Sequence, residues 1–103
     1  MIHINANRKD GKIVYLSIQG HVNSAEEGKD IVCAAVSAIS VGGINALQNP
    51  DNFNLKVEKG DVEVSVKGAA NEHDFQVLDT MLIQLKSVEE TSSKYIKVVE
   101  KGN

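Results

Sequence analysis

With 103 residues, 42% of them hydrophobic, and a single cysteine, the chain is sized for one domain over residues 1–103 that buries roughly 65% of its unfolded surface, and it cannot form an internal disulfide. A net charge of -3, from 14 acidic and 11 basic residues, argues against a direct nucleic-acid binder that works by neutralising phosphates and suits a basic partner better. No stretch approaches the roughly 20 apolar residues of a membrane span, and MIHINANRKDGK lacks the apolar run of a secretory signal, so a soluble cytoplasmic protein with no membrane partner is expected.

In chain order, Ile2 to Ala6 alternates apolar Ile2 and Ile4 with polar His3 and Asn5, the pattern of a half-buried strand. Asp10-Gly11 is a two-residue hairpin signal, because both central positions of a type I′ turn need positive φ. Lys12 to Gln19 is the next strand, with Val14, Leu16 and Ile18 on one side and Ile13, Tyr15 and Ser17 on the other, so a central strand partly covered on both faces is expected. Gly20 ends it, and the polar segment Val22 to Lys29 reads as a loop. An apolar helix follows, with Asp30 as its N-cap and Asn49-Pro50 as its outer limit; a start at Ser24 with Glu27 as a capping box is the alternative, at a cost of about 1 kcal/mol for enclosing Gly28. On this helix Val32, Val36, Ile39 and Gly43 share a stripe beside Cys33, Ser37 and Ser40, and Gly42-Gly43 permits close approach of another backbone.

Phe53 to Glu58 alternates again and turns through Lys59-Gly60-Asp61 into Val62, Val64 and Val66, a second hairpin. A helix from Asn71 or Glu72 to Glu90 presents Phe75, Leu78, Leu82 and Leu85 as a core stripe, and Tyr95 to Glu100 is a last strand. The order β-β-α-β-β-α-β predicts an α+β fold, a mixed sheet of about five strands with two main helices packed against it.

The candidate chemistry lies between Gly20 and Ser40. His21 sits at the mouth of the second strand and Cys33 in the first turn of the helix, so a loop that folds back would bring imidazole and thiol within reach for nucleophilic catalysis. A first-turn position favours thiolate, and the backbone N–H groups there, that of Cys33 included, can stabilise an oxyanion. Against this stands the plainer reading of a cysteine in Ile31-Val32-Cys33-Ala34-Ala35 as a small buried hydrophobe. Asp30 is a cap or a third member that orients His21; Ser37 bonds a preceding carbonyl or lines the pocket; Gly20 and Gly28 flank the loop as hinges or as ordinary punctuation. Ala34, Ala35 and Ala38 keep the helix slim beside Cys33, leaving room for a large apolar side chain or serving close packing. Glu26 and Glu27 are solvated charge or an attraction for basic substrate. His3 and His73 read as solvated, and three scattered histidines with one cysteine match no zinc-ligand spacing, so neither a metal nor another cofactor is expected.

His21, together with the run Gly28-Lys29-Asp30-Ile31-Val32-Cys33-Ala34-Ala35-Val36-Ser37-Ala38, resembles the signature of the bacterial ribosomal-processing cysteine proteases. Two positions depart from that pattern: Val22 stands where Ala is common and Glu27 where an aromatic is common. The resemblance implies a cysteine endopeptidase with a Cys33 nucleophile and a His21 base. It also implies a substrate, the N-terminal extension of a large-subunit ribosomal protein precursor with an aromatic at the cleaved bond ahead of a basic mature terminus, and a homodimer. The reading from another class is a non-catalytic module that binds a ribosomal protein or an assembling ribosome.

Overall fold

In the computed structural model, which describes residues 1–20 and 29–103 with side chains from Ile31 onward in the second stretch, two glycine turns organise the sheet. Strand β1 (Ile2–Lys9) and strand β2 (Lys12–Gln19) are joined through Asp10 at φ 53° and Gly11 at φ 79°, both positive as a type I′ turn requires. Strand β3 (Phe53–Glu58) and strand β4 (Asp61–Val66) are joined through Lys59 and Gly60, the latter at φ 76°. Strand β5 (Ile96–Gly102) completes a five-stranded sheet in the order β3-β4-β2-β1-β5, antiparallel except for the parallel β1 and β5 pair. Helices α1 (Lys29–Asn45) and α2 (Glu72–Ser92) supply the connections into β3 and β5, so the predicted fold class and element order are those observed. Neither helix is long and apolar enough to cross a membrane.

β2 is central, as expected, but the helices cover only one face of it. Ile2, Ile4, Ala6, Leu16, Ile18, Val62, Val64 and Ile96 join Val32 and Val36 of α1 and Leu78, Met81, Leu82 and Leu85 of α2 in one core. The other face carries polar cross-strand pairs: Tyr15 donates to Glu63 at 2.9 Å, Gln19 to Asp61 at 3.1 Å, and Lys56 meets Asp61 at 2.6 Å. Ile13 is fully buried because the register slips beside it. Tyr15 faces Asn7 but Ile13 faces Arg8, which leaves Val14 as the extra residue of a β-bulge and turns Ile13 to the side opposite its expected one. Arg8, opposite Ile13, bonds Asp79 of α2 at 2.9 Å and Glu100 of β5 at 3.1 Å.

α1 begins at Lys29 and ends at Asn45, where the Ala46 N–H is shared between the Gly42 and Gly43 carbonyls and buried Leu47 anchors the chain. A 3-10 turn at Pro50–Asn52 then leads into β3. Gly43 does admit a close neighbour, but it is the Met81 side chain rather than a backbone: a Cβ there would lie 2.3 Å from Sδ, whereas at Gly42 it would meet nothing. The buried line of α1 runs through Val32, Val36 and Ser40, with Ile39 only half-buried; Ser40 satisfies its hydroxyl by donating to the Val36 carbonyl at 2.7 Å.

In α2 the predicted stripe holds except at Phe75, which lies at the core margin under the Lys12 ammonium, 5.0 Å from its ring centre. Asn71 caps the helix by accepting the Asp74 N–H at 2.8 Å. Asp74 is wholly buried and holds the segment after α1: its carboxylate accepts from the Gln48 N–H at 2.8 Å and the Asn49 N–H at 3.0 Å. His73, expected to be solvated, is half-exposed and sets Nδ1 2.9 Å from the same carboxylate. Burial alone would raise the Asp74 carboxyl; the N–H groups of Gln48 and Asn49 and the His73 ring outweigh it and hold the carboxyl below its ordinary range. Asp74→Asn, which turns an amide NH2 toward one of these donors, should cost about 1 to 3 kcal/mol at pH 7. Because the folded carboxyl titrates below the unfolded one, this stabilisation is full above the unfolded value of about 4 and is lost as pH falls through the folded value. Urea unfolding of wild type and variant at pH 7 and pH 3 should therefore show a gap that narrows in acid.

Candidate active site

Cys33 is the fifth residue of α1, at the start of its second turn, half-buried between Val32 and Val36, each 5% exposed. Asp30 is therefore the second residue of the helix and not its cap, a difference caused by the helix starting one residue before it. The shift also changes what Cys33 offers chemically. In an α-helix its N–H has the Lys29 carbonyl as acceptor, so the Cys33 N–H is not one of the helix's open donors.

The side chain opens on a cleft of about 440 Å³ whose walls come from all five of the nearest elements. α1 contributes Cys33, Val36, Ser37, Ser40 and Val41. The start of β1 gives Ile2, the end of β2 gives Ile18 and Gly20, and the hairpin from Val57 to Val62 closes the far side. Ser37 is exposed and lines the cleft one turn after Cys33, the second of its two expected roles. Ala34, Ala35 and Ala38 do not line it. Ala38 faces a separate groove of about 580 Å³ between α1 and α2, and room beside Cys33 is made instead by the gap between α1 and the hairpin. His21, Gly28, Glu26, Glu27 and the predicted loop from 22 to 29, except Lys29, which is helical and not loop, lie outside the described residues.

Gly20 explains why the sheet ends where it does. Its φ is +113°, a value L side chains rarely adopt, and a Cβ would lie 2.4 Å from the Met1 carbonyl oxygen and 3.2 Å from the Ile2 Cα. Its N–H donates to the Gly60 carbonyl at 3.0 Å, so three strand ends converge on one glycine at the cleft floor. The hairpin itself is fixed by charge: Lys56 bonds Asp61, which also accepts from Gln19, and these bonds raise the ammonium and lower the carboxyl relative to their ordinary values. Among the described residues, no three His, Cys, Asp or Glu side chains converge as a metal site needs.

Sequence reasoning missed the hairpin wall. Val57 belongs to an alternating strand and reads as core, yet it is 53% exposed and faces the cleft. The Lys59-Gly60 turn marked the bend but not its meeting with Gly20.

The sequence profile described as cysteine protease Prp matches residues 1–97. The chain belongs to this family. A ribosomal processing cysteine protease Prp of Staphylococcus aureus is 31% identical over 94 residues, covering 86% of this chain and 88% of that one. The protein of the same name from Mycoplasma genitalium is 31% identical over 103 residues, covering 99% and 98%. The crystal structure of the essential S. aureus protease Prp with a covalently linked product peptide superposes with a TM-score of 0.83 at 28% identity, over 98% of this chain and all of that one. This chain is accordingly a cysteine protease.

Gly20→Ala should cost more than about 2 kcal/mol, because it adds both backbone strain and a clash with main-chain atoms that cannot yield. Urea denaturation measures the loss. Proteolytic rate at a temperature where the variant stays folded should fall as well, since the strand ends that wall the cleft move apart.

Proposed function

We propose that the chain is the endopeptidase that removes the N-terminal extension of a bacterial large-subunit ribosomal protein, with Cys33 as nucleophile and His21 as base. The observation that carries the reading is that the only cysteine opens on an apolar cleft whose floor is Gly20, the residue bonded to His21. The relatives' common name, ribosomal processing cysteine protease, supports the substrate class.

In this mechanism His21 takes the Cys33 thiol proton and the thiolate attacks the scissile carbonyl carbon. The C–N bond breaks as the amine leaves with the proton, and water then hydrolyses the thioester. Asp30 is the candidate orienter of His21, and Gly28 the candidate hinge of the segment that carries the base. A cytoplasmic location fits a ribosomal substrate, and a homodimer is the expected assembly, with the apolar groove between α1 and α2 as a surface it can bury.

Cys33→Ala should abolish cleavage of the precursor, followed by mass spectrometry, while leaving the unfolding midpoint almost unchanged, because Ala is close to the thiol in size and Cys33 is only half-buried. His21→Ala should lose most of the rate and the neutral-pH limb of the rate profile. Iodoacetamide should modify the wild-type thiol near neutral pH; an inert thiol with full cleavage would remove Cys33 from the chemistry. The apolar lining from Ile2, Ile18, Val36, Val41, Val57 and Val62 suits a large apolar side chain beside the cut. Replacing an aromatic residue before the scissile bond by Ala should lower kcat/KM about 30- to 150-fold, the equivalent of roughly 2 to 3 kcal/mol of side-chain burial.

A further inference from the structure

β3 is an edge of the sheet that lacks the usual protection. Among the described residues it pairs with β4 alone, through six consecutive partners from Phe53↔Val66 to Glu58↔Asp61, with no register shift. Natural edges are blunted by bulges, prolines or outward lysines. This one contains neither bulge nor proline, and its lysine is turned across the sheet, where Lys56 bonds Asp61 at 2.6 Å and approaches Glu63 at 3.9 Å. On the helix side Phe53 is buried at 3% exposure, but Leu55 and Val57 on the same face stand 37% and 53% exposed. That apolar row runs straight into the cleft, since Val57 is part of the wall opposite Cys33. The other sheet edge, β5, differs: α2 packs against it, the Glu89 carboxylate takes its Val98 N–H at 2.6 Å, and Lys86 and Arg8 bond its Glu100.

We propose that the outer edge of β3 takes the apolar segment of the substrate ahead of the cleaved bond as a sixth strand, which leads the scissile bond past Val57 to Cys33. This rests on the endopeptidase reading above. An N-terminal extension is chain without a folded body of its own to keep its backbone groups occupied, so its main-chain N–H and C=O groups can complete the ladder that β3 leaves open. Six residues of strand span about 20 Å, room for five or six residues of extension. Alternate side chains of the added strand then pack on Leu55 and Val57, while those between them face the polar side with Asn54, Lys56 and Glu58. The edge selects for extended, apolar, proline-free sequence, and the cleft selects the residue at the cut.

Two measurements on the full chain test this, using a synthetic peptide that spans the extension and the first mature residues of the organism's own precursor. In the first, amide hydrogen exchange of Cys33→Ala is followed with and without that peptide; exchange at alternate residues from 53 to 58 should slow at least tenfold, with β5 unchanged. In the second, wild-type protein cleaves a series of peptides N-methylated at one amide each; KM should rise about tenfold or more at every second position ahead of the cut and little at those between. Cleavage of the parent peptide without β3 protection and without that two-residue alternation overturns the added strand and leaves the endopeptidase assignment standing. Protection of residues 53 to 58 that exists without peptide and grows with protein concentration overturns it too, because a second copy then occupies the edge. Failure of wild type to cleave either the peptide or the intact precursor sinks the endopeptidase assignment and this inference together.

Discussion

The hydrogen bond from the Gly20 N–H to the Gly60 carbonyl is the constraint on which the site depends. It joins the end of β2 to the turn between β3 and β4, at a residue whose absent Cβ also lets the Met1 carbonyl come within 2.4 Å of the space a side chain would fill. A backbone bond of this kind contributes about 1 kcal/mol by itself. Its larger effect is geometric, since it fixes the distance between the hairpin wall and the strand that leads to His21. The cleft beside Cys33 thus rests on a main-chain junction that carries no reactive group.

Much of the architecture was legible because short-range rules decide it. Asp10-Gly11 can satisfy two positive φ values, alternation sets Phe53 to Glu58 as a strand, and Asn71 ahead of Glu72 marks a helix start. What escaped the sequence depends on partners far along the chain. Val14 is no more bulge-prone than its neighbours, and Arg8, which faces Ile13 across the slip, bonds Asp79 and Glu100 at sequence separations of 71 and 92. Asp74 looked like first-turn surface charge and proved to be a wholly buried tie, because two backbone donors some 25 residues earlier converge on it.

The candidate site divides along the same line. Cys33 was legible as the only thiol on an amphipathic helix, and Gly20 as the end of a strand. The placement of Cys33 in the second turn rather than the first rests on a single residue of helix boundary, which periodicity cannot fix to that accuracy. The far wall was invisible because an exposed Val57 and a buried Val64 obey the same alternation, which does not say which part of a sheet is covered.

Packing at the far end of α1 also bears on the site. Beyond its C-terminal end the Asp74 carboxylate holds Gln48 and Asn49, and near that end Gly43 seats on the Met81 side chain. Cys33 sits ten residues up the helix from Gly43, about 15 Å away, and Val32 and Val36 are its nearest buried contacts with the core. A rotation of about 5° about the anchored end would carry the sulfur roughly 1 Å, a displacement on the scale that changes reaction rates by orders of magnitude. The spacing between the two helices, set at residues far from the cleft, is therefore a gearing through which changes in remote packing reach the thiol.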